Sequence, residues 1–418
     1  MSDSYLINLI HFHICLSNLY DKGSGKILAF HFSSAPTSNG MTPRIFITIA
    51  LLVHGLIHLM GFLKAWGFPI AKNFNIRALI TLSSNELKTI GLLWLLCCIG
   101  LVTSCIIFLL QKDWWWMVGA VSLLLSQSLV VLYWHDAKYG TLVNVIILLA
   151  VLISYHQQRF NARIRSETKT LLASQINTSG TTVSPESIEH LPAPVQKWLI
   201  KSGVIGMVKA NIVHLKQKGT MRQKPEGKWL PMEAEQYITA NLPGFIWNGT
   251  MGNSFITING RDKYINGKGN MLIKVMSTIP IGNSSGEEID QGAMMRFLAE
   301  VAWVPSAALN DYIQWTYIND TIARATMTNG NRTVSGTFYF DYEGDIVGFE
   351  GKRYGNFNGH FSLETWFVRM LEHKEFNGIR IGNKCEVTWK LKQGDFTWLQ
   401  LEVTDISYDN TDFIKPKG

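Results

Sequence analysis

Four stretches of this chain, residues 45–63, 89–110, 114–134 and 141–155, contain no Lys, Arg, Asp or Glu. An α-helix rises about 1.5 Å per residue and needs about 20 apolar residues to cross the hydrocarbon of a bilayer. The pattern therefore predicts four transmembrane helices within residues 41–157. Trp114, Trp115 and Trp116 open the third stretch, and Tyr133 with Trp134 closes it. Such rings prefer the headgroup level. Lys112-Asp113 and the segment 135–140 are tight links, so the last three helices are expected to be antiparallel neighbours.

The formal net charge is +7, but the excess lies mostly around the apolar stretches, where Lys and Arg orient membrane helices. The partner implied is the lipid bilayer, and nucleic acid is set aside. Four spans place both ends of residues 41–418 on one side. Six basic residues on that side (Arg44, Lys112, Arg159, Arg163, Arg165, Lys169) against five on the other (Lys64, Lys72, Arg77, Lys88, Lys138) favour termini in the cytoplasm. Residues 1–40 form a poorly patterned leader, and Met41 reads as an alternative start. Of five cysteines, Cys97, Cys98 and Cys105 share one apolar stretch, and no disulfide framework or zinc spacing emerges.

His54 and His58 interrupt the first span. An ionisable group in hydrocarbon is a functional candidate by default, and a spacing of four puts both on one helical face. Counted back from residue 63, His58 lies about 7 Å and His54 about 13 Å below the membrane face opposite the termini. His135 closes the third span at that face, and Cys97 and Cys98 reach the level of His54. Two readings follow: a metal, haem or quinone site on His54, His58 and His135 with Cys97 or Cys98, or imidazoles hydrogen-bonded to neighbouring helices.

Residues 158–184 read as a stalk, and 185–418 as a β-rich domain. Thirteen segments of alternating character run from 209 to 407, and Asn266–Asn270, Asn329-Gly330-Asn331 and Tyr342–Asp345 are hairpin signals. One amphipathic helix, about 288–301, interrupts them. The expected fold is thus a four-helix transmembrane bundle followed by an α+β domain, in which a curved antiparallel sheet, half-barrel or open barrel, surrounds the inserted helix. Arg296 and Glu300 stand four apart on that helix and Trp303 continues their face, which makes the three a candidate ligand-binding set at the mouth of an apolar space. Asp290 and Gln291 at the helix start either cap it or bind back to the sheet, and capping is the favoured reading. His360 and His373 read as loop residues, and no nucleophile elbow, phosphate loop or zinc-protease motif occurs.

Leu191-Pro-Ala-Pro-Val195, Gly260-Arg-Asp-Lys-Tyr264, Gly267-Lys-Gly-Asn-Met-Leu-Ile273, Ile289-Asp-Gln-Gly292, Arg296-Phe-Leu-Ala-Glu300, Trp303-Val-Pro305 and Gly394-Asp-Phe396 resemble a family of bacterial domains of unknown function found in membrane proteins. The resemblance covers 191–409 and implies no reaction. Through Asp136-Ala-Lys-Tyr-Gly-Thr141 the helical part is loosely similar to DoxX-type four-helix membrane proteins, and the curved sheet resembles the lipoprotein-carrier fold in shape. The leading expectation is a multi-pass protein of the bacterial inner membrane whose β-rich domain binds a lipid-like, hydrophobic or amphipathic ligand without a cofactor; no motif indicates enzymatic activity, and the missing motifs do not exclude it. A small membrane redox protein and a membrane-anchored scaffold are the alternatives.

Overall fold

The structure is a computed structural model that describes residues 43–74, 76–173, 175, 180–253, 255–357 and 359–409. The expected leader, 1–40, and the alternative start at Met41 lie outside them. The described residues from Pro43 to Asp409 fall in one compact unit.

Helices α1 (Pro43–Ala65), α2 (Ser84–Leu109), α3 (Trp115–Leu132) and α5 (Gly140–Ala173), with a short α4 (Trp134–Ala137), carry the apolar stretches. Among the described residues these four long helices are long and apolar enough to cross a membrane. Helix α2 begins five residues before its apolar run. Ser83 and Glu86 form a capping box there, with the Glu86 N–H donating to Ser83 Oγ and the Ser83 N–H to Glu86 Oε2, which satisfies two otherwise orphaned donors. Helix α2 packs between α1 and α3, and α5 closes against α3 and α1. Gly61 permits the α1–α2 approach, since a methyl group there would stand 2.4 Å from the Trp94 ring.

Helix α5 does not stop at the end of its apolar run. It continues to Ala173 and takes up the first part of the segment expected to be a stalk. Phe160, Ile164 and Leu171 form a stripe buried against Ile246 and Leu272 of the sheet. The intervening Arg163, Arg165, Glu167 and Lys169 conceal that stripe in the sequence. Beside it, the Glu167 carboxylate lies 3.1 Å from Arg261 Nε and accepts from Lys263 Nζ at 2.9 Å, and Arg261 has no exposed surface.

The described strands form one antiparallel sheet of 13: β1 (Ile212–Met221), β2 (Leu230–Thr239), β3 (Gly244–Gly252), β4 (Thr257–Ile265), β5 (Lys268–Val275), β6 (Ile279–Ser285), β7 (Ile313–Asn319), β8 (Ile322–Asn329), β9 (Arg332–Phe340), β10 (Ile346–Phe357), β11 (His360–Phe376), β12 (Ile379–Leu391) and β13 (Gly394–Tyr408). The chain meanders from β1 out to the β6 edge. It then passes through α7 (Glu287–Glu300) and two 3-10 turns to the β7 edge and meanders back, so that β13 pairs with β1 at the centre. The curved sheet stays open between β6 and β7. Its hairpins use the expected turns: Asn266 and Gly267 take φ of 52° and 74°, the left-handed pair that matches strand twist.

Successive side chains on a strand face opposite ways, and here each face has its own helix. Ile246 and Leu272 meet α5 on the outside, whereas Phe245, Tyr264, Phe338 and Phe349 face inward and pack with Met294, Phe297 and Leu298 of α7. Helix α6 (Ala193–Lys201) adds Val195, Trp198 and Leu199 to the same core. Three details differ from expectation. Strand β6 is an added edge strand with little apolar alternation, β12 is continuous where two segments are expected, and His360 and His373 lie in β11 and not in loops.

Glu167 ties the helix to the sheet. Burial alone would raise its carboxyl, but the Lys263 hydrogen bond and the charges of Arg261 and Lys263 hold it below the usual carboxylate range. Its contribution is therefore present above the unfolded value of about 4.3 and is lost as pH falls through the lower folded one. Glu167→Gln leaves Arg261 buried without its counter-charge and is expected to cost about 3 kcal/mol. Thermal unfolding of the two proteins from pH 7 to pH 3 checks both points: the wild type should lose stability below about pH 4, and the variant should start lower and lose less.

Candidate functional site

Two charged clusters occupy the concave side of the sheet. In the first, Arg296 donates from Nε to Glu300 Oε1 at 2.6 Å, from Nη1 to Asp262 Oδ2 at 2.9 Å and from Nη2 to Gln236 Oε1 at 3.2 Å. Its guanidinium also lies over the Phe245 and Trp247 rings, at 4.8 and 5.4 Å. Gln236 Nε2 donates to the second Glu300 oxygen, and the Trp247 indole N–H donates to Gln217. Burial pushes the Glu300 carboxyl up, against the pull of Arg296; for Arg296 the neighbouring Glu300 and Asp262 outweigh burial and hold its pKa above the ordinary value. The i,i+4 spacing thus places Arg296 and Glu300 together as expected, in a network closed by β2 and β4.

Trp303 goes elsewhere. Beyond Glu300 the helix tightens into a 3-10 turn, Val301–Trp303, and at 3.0 instead of 3.6 residues per turn three residues rotate a side chain by about 60° more than an α-helix would. The Trp303 indole N–H donates to the Gly382 carbonyl on β12 at 3.0 Å, and the Tyr408 hydroxyl donates to the Trp303 carbonyl. Asp290 likewise departs from the capping role. Gly286 is the N-cap and no side chain caps the helix. Asp290 instead accepts from the Gly269 N–H, Lys268 and Arg332, which joins β5 to β9 through α7.

The second cluster centres on Arg353, which sequence reasoning passes over. Phe349, Gly351, Arg353, Gly355 and Phe357 alternate along the inner face of β10, and an arginine inside that alternation is the signal that could have found it. Its guanidinium lies 4.9 Å over the Trp366 ring and 5.9 Å from that of Trp389. Nε donates to the Gly292 carbonyl at 2.9 Å. Glu364 is its register partner on β11, yet among the described residues Arg353 makes no ion pair and its two Nη groups have no hydrogen-bond partner. Burial pushes its pKa down to about 10, so it remains a cation at neutral pH.

In the helical part, His54 Nε2 lies 2.8 Å from Asn144 Oδ1 on α5 and 3.1 Å from Ser126 Oγ on α3. His58 Nδ1 lies 2.8 Å from the His54 carbonyl, and its ring stands 5.0 Å from that of Trp94. His54 therefore bonds across helices, whereas His58 bonds to its own helix and its buried Nε2 has no hydrogen-bond partner among the described residues. His135 is exposed and apart from them, and among the described residues no group of three or more His, Cys, Asp or Glu could hold a metal ion. Cys97 is buried and donates to the Ser122 carbonyl.

Residues 181–401 match a family described as a family of unknown function, DUF6544. The chain belongs to this family. The match bears out the resemblance seen in the β-rich part and does not extend to the helices or to their likeness to DoxX-type proteins. No curated protein matches the chain. Three solved structures share some similarity. A putative outer membrane lipoprotein-sorting protein domain from Vibrio parahaemolyticus has 9% identity over 48% of this chain and 86% of that one, with a TM-score of 0.28. A DUF1329 family protein from Desulfovibrio piger has 10% identity over 53% and 95%, with a TM-score of 0.32. A LolA superfamily protein from Nitrosomonas europaea has 11% identity over 52% and 94%, with a TM-score of 0.30. Scores at this level carry neither fold nor function to the present protein.

The two arginines should respond oppositely to loss of charge. Arg296→Met strands Asp262 and Glu300 in the core and is expected to destabilise by roughly 3–5 kcal/mol. Arg353→Met removes a cation that makes no ion pair and feels Asp262 and Glu300 only at a distance, and it keeps an apolar stem over Trp366, so its melting temperature should equal or exceed that of the wild type. Thermal unfolding of both variants measures the difference.

Proposed function

We propose that this protein crosses the membrane with α1, α2, α3 and α5 and that its β-rich domain binds a lipid-like amphiphile on the concave face of the sheet, beside the bilayer. One observation carries the reading: a guanidinium lies inside the sheet on two tryptophan rings with its fork unpaired. The guanidinium is partly exposed, so its fork is open to an incoming group, and a planar fork of donors suits a carboxylate or phosphate. The Trp366, Trp389 and Phe357 rings, and the Met295 side chain packed on Gly351, supply apolar contact for a chain attached to that headgroup. The Arg296 network holds the helix in place, and Arg353 is the group offered to the ligand. Glu300 and Trp303 have structural roles in this reading. Termini on the cytoplasmic face of a bacterial inner membrane remain the orientation favoured by the flanking charges.

Native mass spectrometry of the purified full chain is expected to show a co-purifying amphiphile. Titration with a dansyl-labelled fatty acid is expected to show binding that weakens about tenfold or more in Arg353→Met, the equivalent of losing a hydrogen bond to a charged group of about 1.5–3 kcal/mol. A protein that carries no amphiphile and binds no labelled fatty acid would overturn the proposal.

A further inference from the structure

One end of the sheet carries large apolar side chains with nothing over them. The β3–β4 and β5–β6 turns lie at the same end, since antiparallel strands reverse at each turn, and the Met276 N–H donates to the Thr257 carbonyl to join them. Phe255 and Ile256 are 60% and 59% exposed, and Ile279 is 52% exposed. Hairpin tips are ordinarily built from small and polar residues, so three bulky apolar side chains at two adjacent tips point to a partner.

Helix α5 fixes the level of these tips relative to the helical bundle. Two consecutive residues hold opposite structures: Ser277 of the β5–β6 turn donates to Gln157 Oε1, and the Trp116 indole N–H donates to Gln158 Oε1 at 2.8 Å. Trp116 packs its ring on Tyr155 at 4.9 Å and belongs to the aromatic run at the start of α3. Arg44, at the start of α1, donates to the Phe108 and Leu109 carbonyls at the end of α2, so all four long helices meet near this level. Aromatic rings and arginines at helix ends mark a membrane interface. The β5–β6 turn is bonded to α5 within one residue, about 1.5 Å of helix rise, of that belt. Arg159, exposed one residue further on, and Lys274, whose Nζ lies 5.8 Å over the Phe160 ring, add positive charge beside it, which suits anionic headgroups.

We infer that Phe255, Ile256 and Ile279 insert into the interface of the bilayer that the protein's own helices cross, and seat this end of the sheet on lipid. The inference rests on the membrane-crossing reading above. It deepens that reading, because the β10–β11 turn lies at the same end of the sheet and Arg353 is four residues from the end of β10. An amphiphile then passes from the bilayer to the guanidinium without entering bulk water.

The test uses the full chain in nanodiscs of phosphatidylcholine and phosphatidylglycerol, with a Cys15→Ser background and the environment-sensitive fluorophore NBD on one introduced thiol. Ile256→Cys reports the hairpin tip, Leu124→Cys the lipid-facing side of α3, and Tyr342→Cys, 83% exposed in the β9–β10 turn at the other end of the sheet, a position in water. Lipids carrying a nitroxide near the headgroup should quench Ile256→Cys at least threefold more than Tyr342→Cys, and lipids carrying it deep in the acyl chain should quench Leu124→Cys, which lies about 12 Å further along α3 than Trp116. Quenching of Leu124→Cys with Ile256→Cys no different from Tyr342→Cys would overturn the insertion while leaving membrane crossing in place. An unquenched Leu124→Cys would overturn membrane crossing, and the insertion with it.

Discussion

A helix laid across the concave face of an open sheet must find internal partners for its polar groups, because the apolar core around it leaves them nothing else. Arg296 meets that requirement by bonding to Glu300 on its own helix, Asp262 on β4 and Gln236 on β2. Asp290 reaches β5 and β9, and Gln291 bonds to the Lys352 carbonyl and Tyr354 N–H of β10. Polar groups of one helix thereby hold both arms of a sheet whose outermost strands, β6 and β7, do not pair with each other. An open edge is otherwise a site for pairing with another chain, and a sheet lacking its central helix would also expose Phe245, Phe338 and Phe349.

The parts of this fold that were legible in the sequence are those set by local periodicity. Uninterrupted apolar runs gave the four helices, alternation gave most strands, and the four-residue spacing gave the Arg296–Glu300 pair. What was not legible depends on a second surface. The stripe Phe160, Ile164, Leu171 is too sparse and too interleaved with charge to announce a buried face until Ile246 and Leu272 are set against it. Strand β6, with Gly282, Asn283, Ser284 and Ser285, has little alternation and forms because β5 offers it an edge. Trp303 shares a helical face with Arg296 only if the α-helix continues, and a change of pitch that the sequence does not signal turns it to Gly382.

The extended α5 changes what the helical part can be. A loose stalk would let the β-rich domain sample many orientations, since a flexible segment resists bending only weakly. A continuous helix with Glu167 bonded to Lys263 and close to Arg261, and with Gln157 and Gln158 bonded to the sheet turn and to Trp116, transmits position from one part to the other. The polar contacts inside the bundle, His54 with Ser126 and Asn144, bind α1 to α3 and α5. Helix α5 is in this sense the common element of both halves, and its register fixes which end of the sheet faces the bundle.

The contrast between the two partly buried arginines, Arg296 and Arg353, separates folding from function more sharply than either alone. Arg296 has two carboxylates, a glutamine and two aromatic faces, and its removal leaves charges without partners. Arg353 has a backbone carbonyl and two indole faces, so in the isolated chain its desolvation is offset only in part. Folding therefore gives no reason for a guanidinium at that position; a methionine would fill the space over Trp366 at lower cost. A headgroup carboxylate or phosphate arriving at the unpaired fork would supply a direct counter-charge, with bidentate geometry to match. Of the two arginines, the one with fewer partners in the free protein is the one that the proposed reading offers to a ligand.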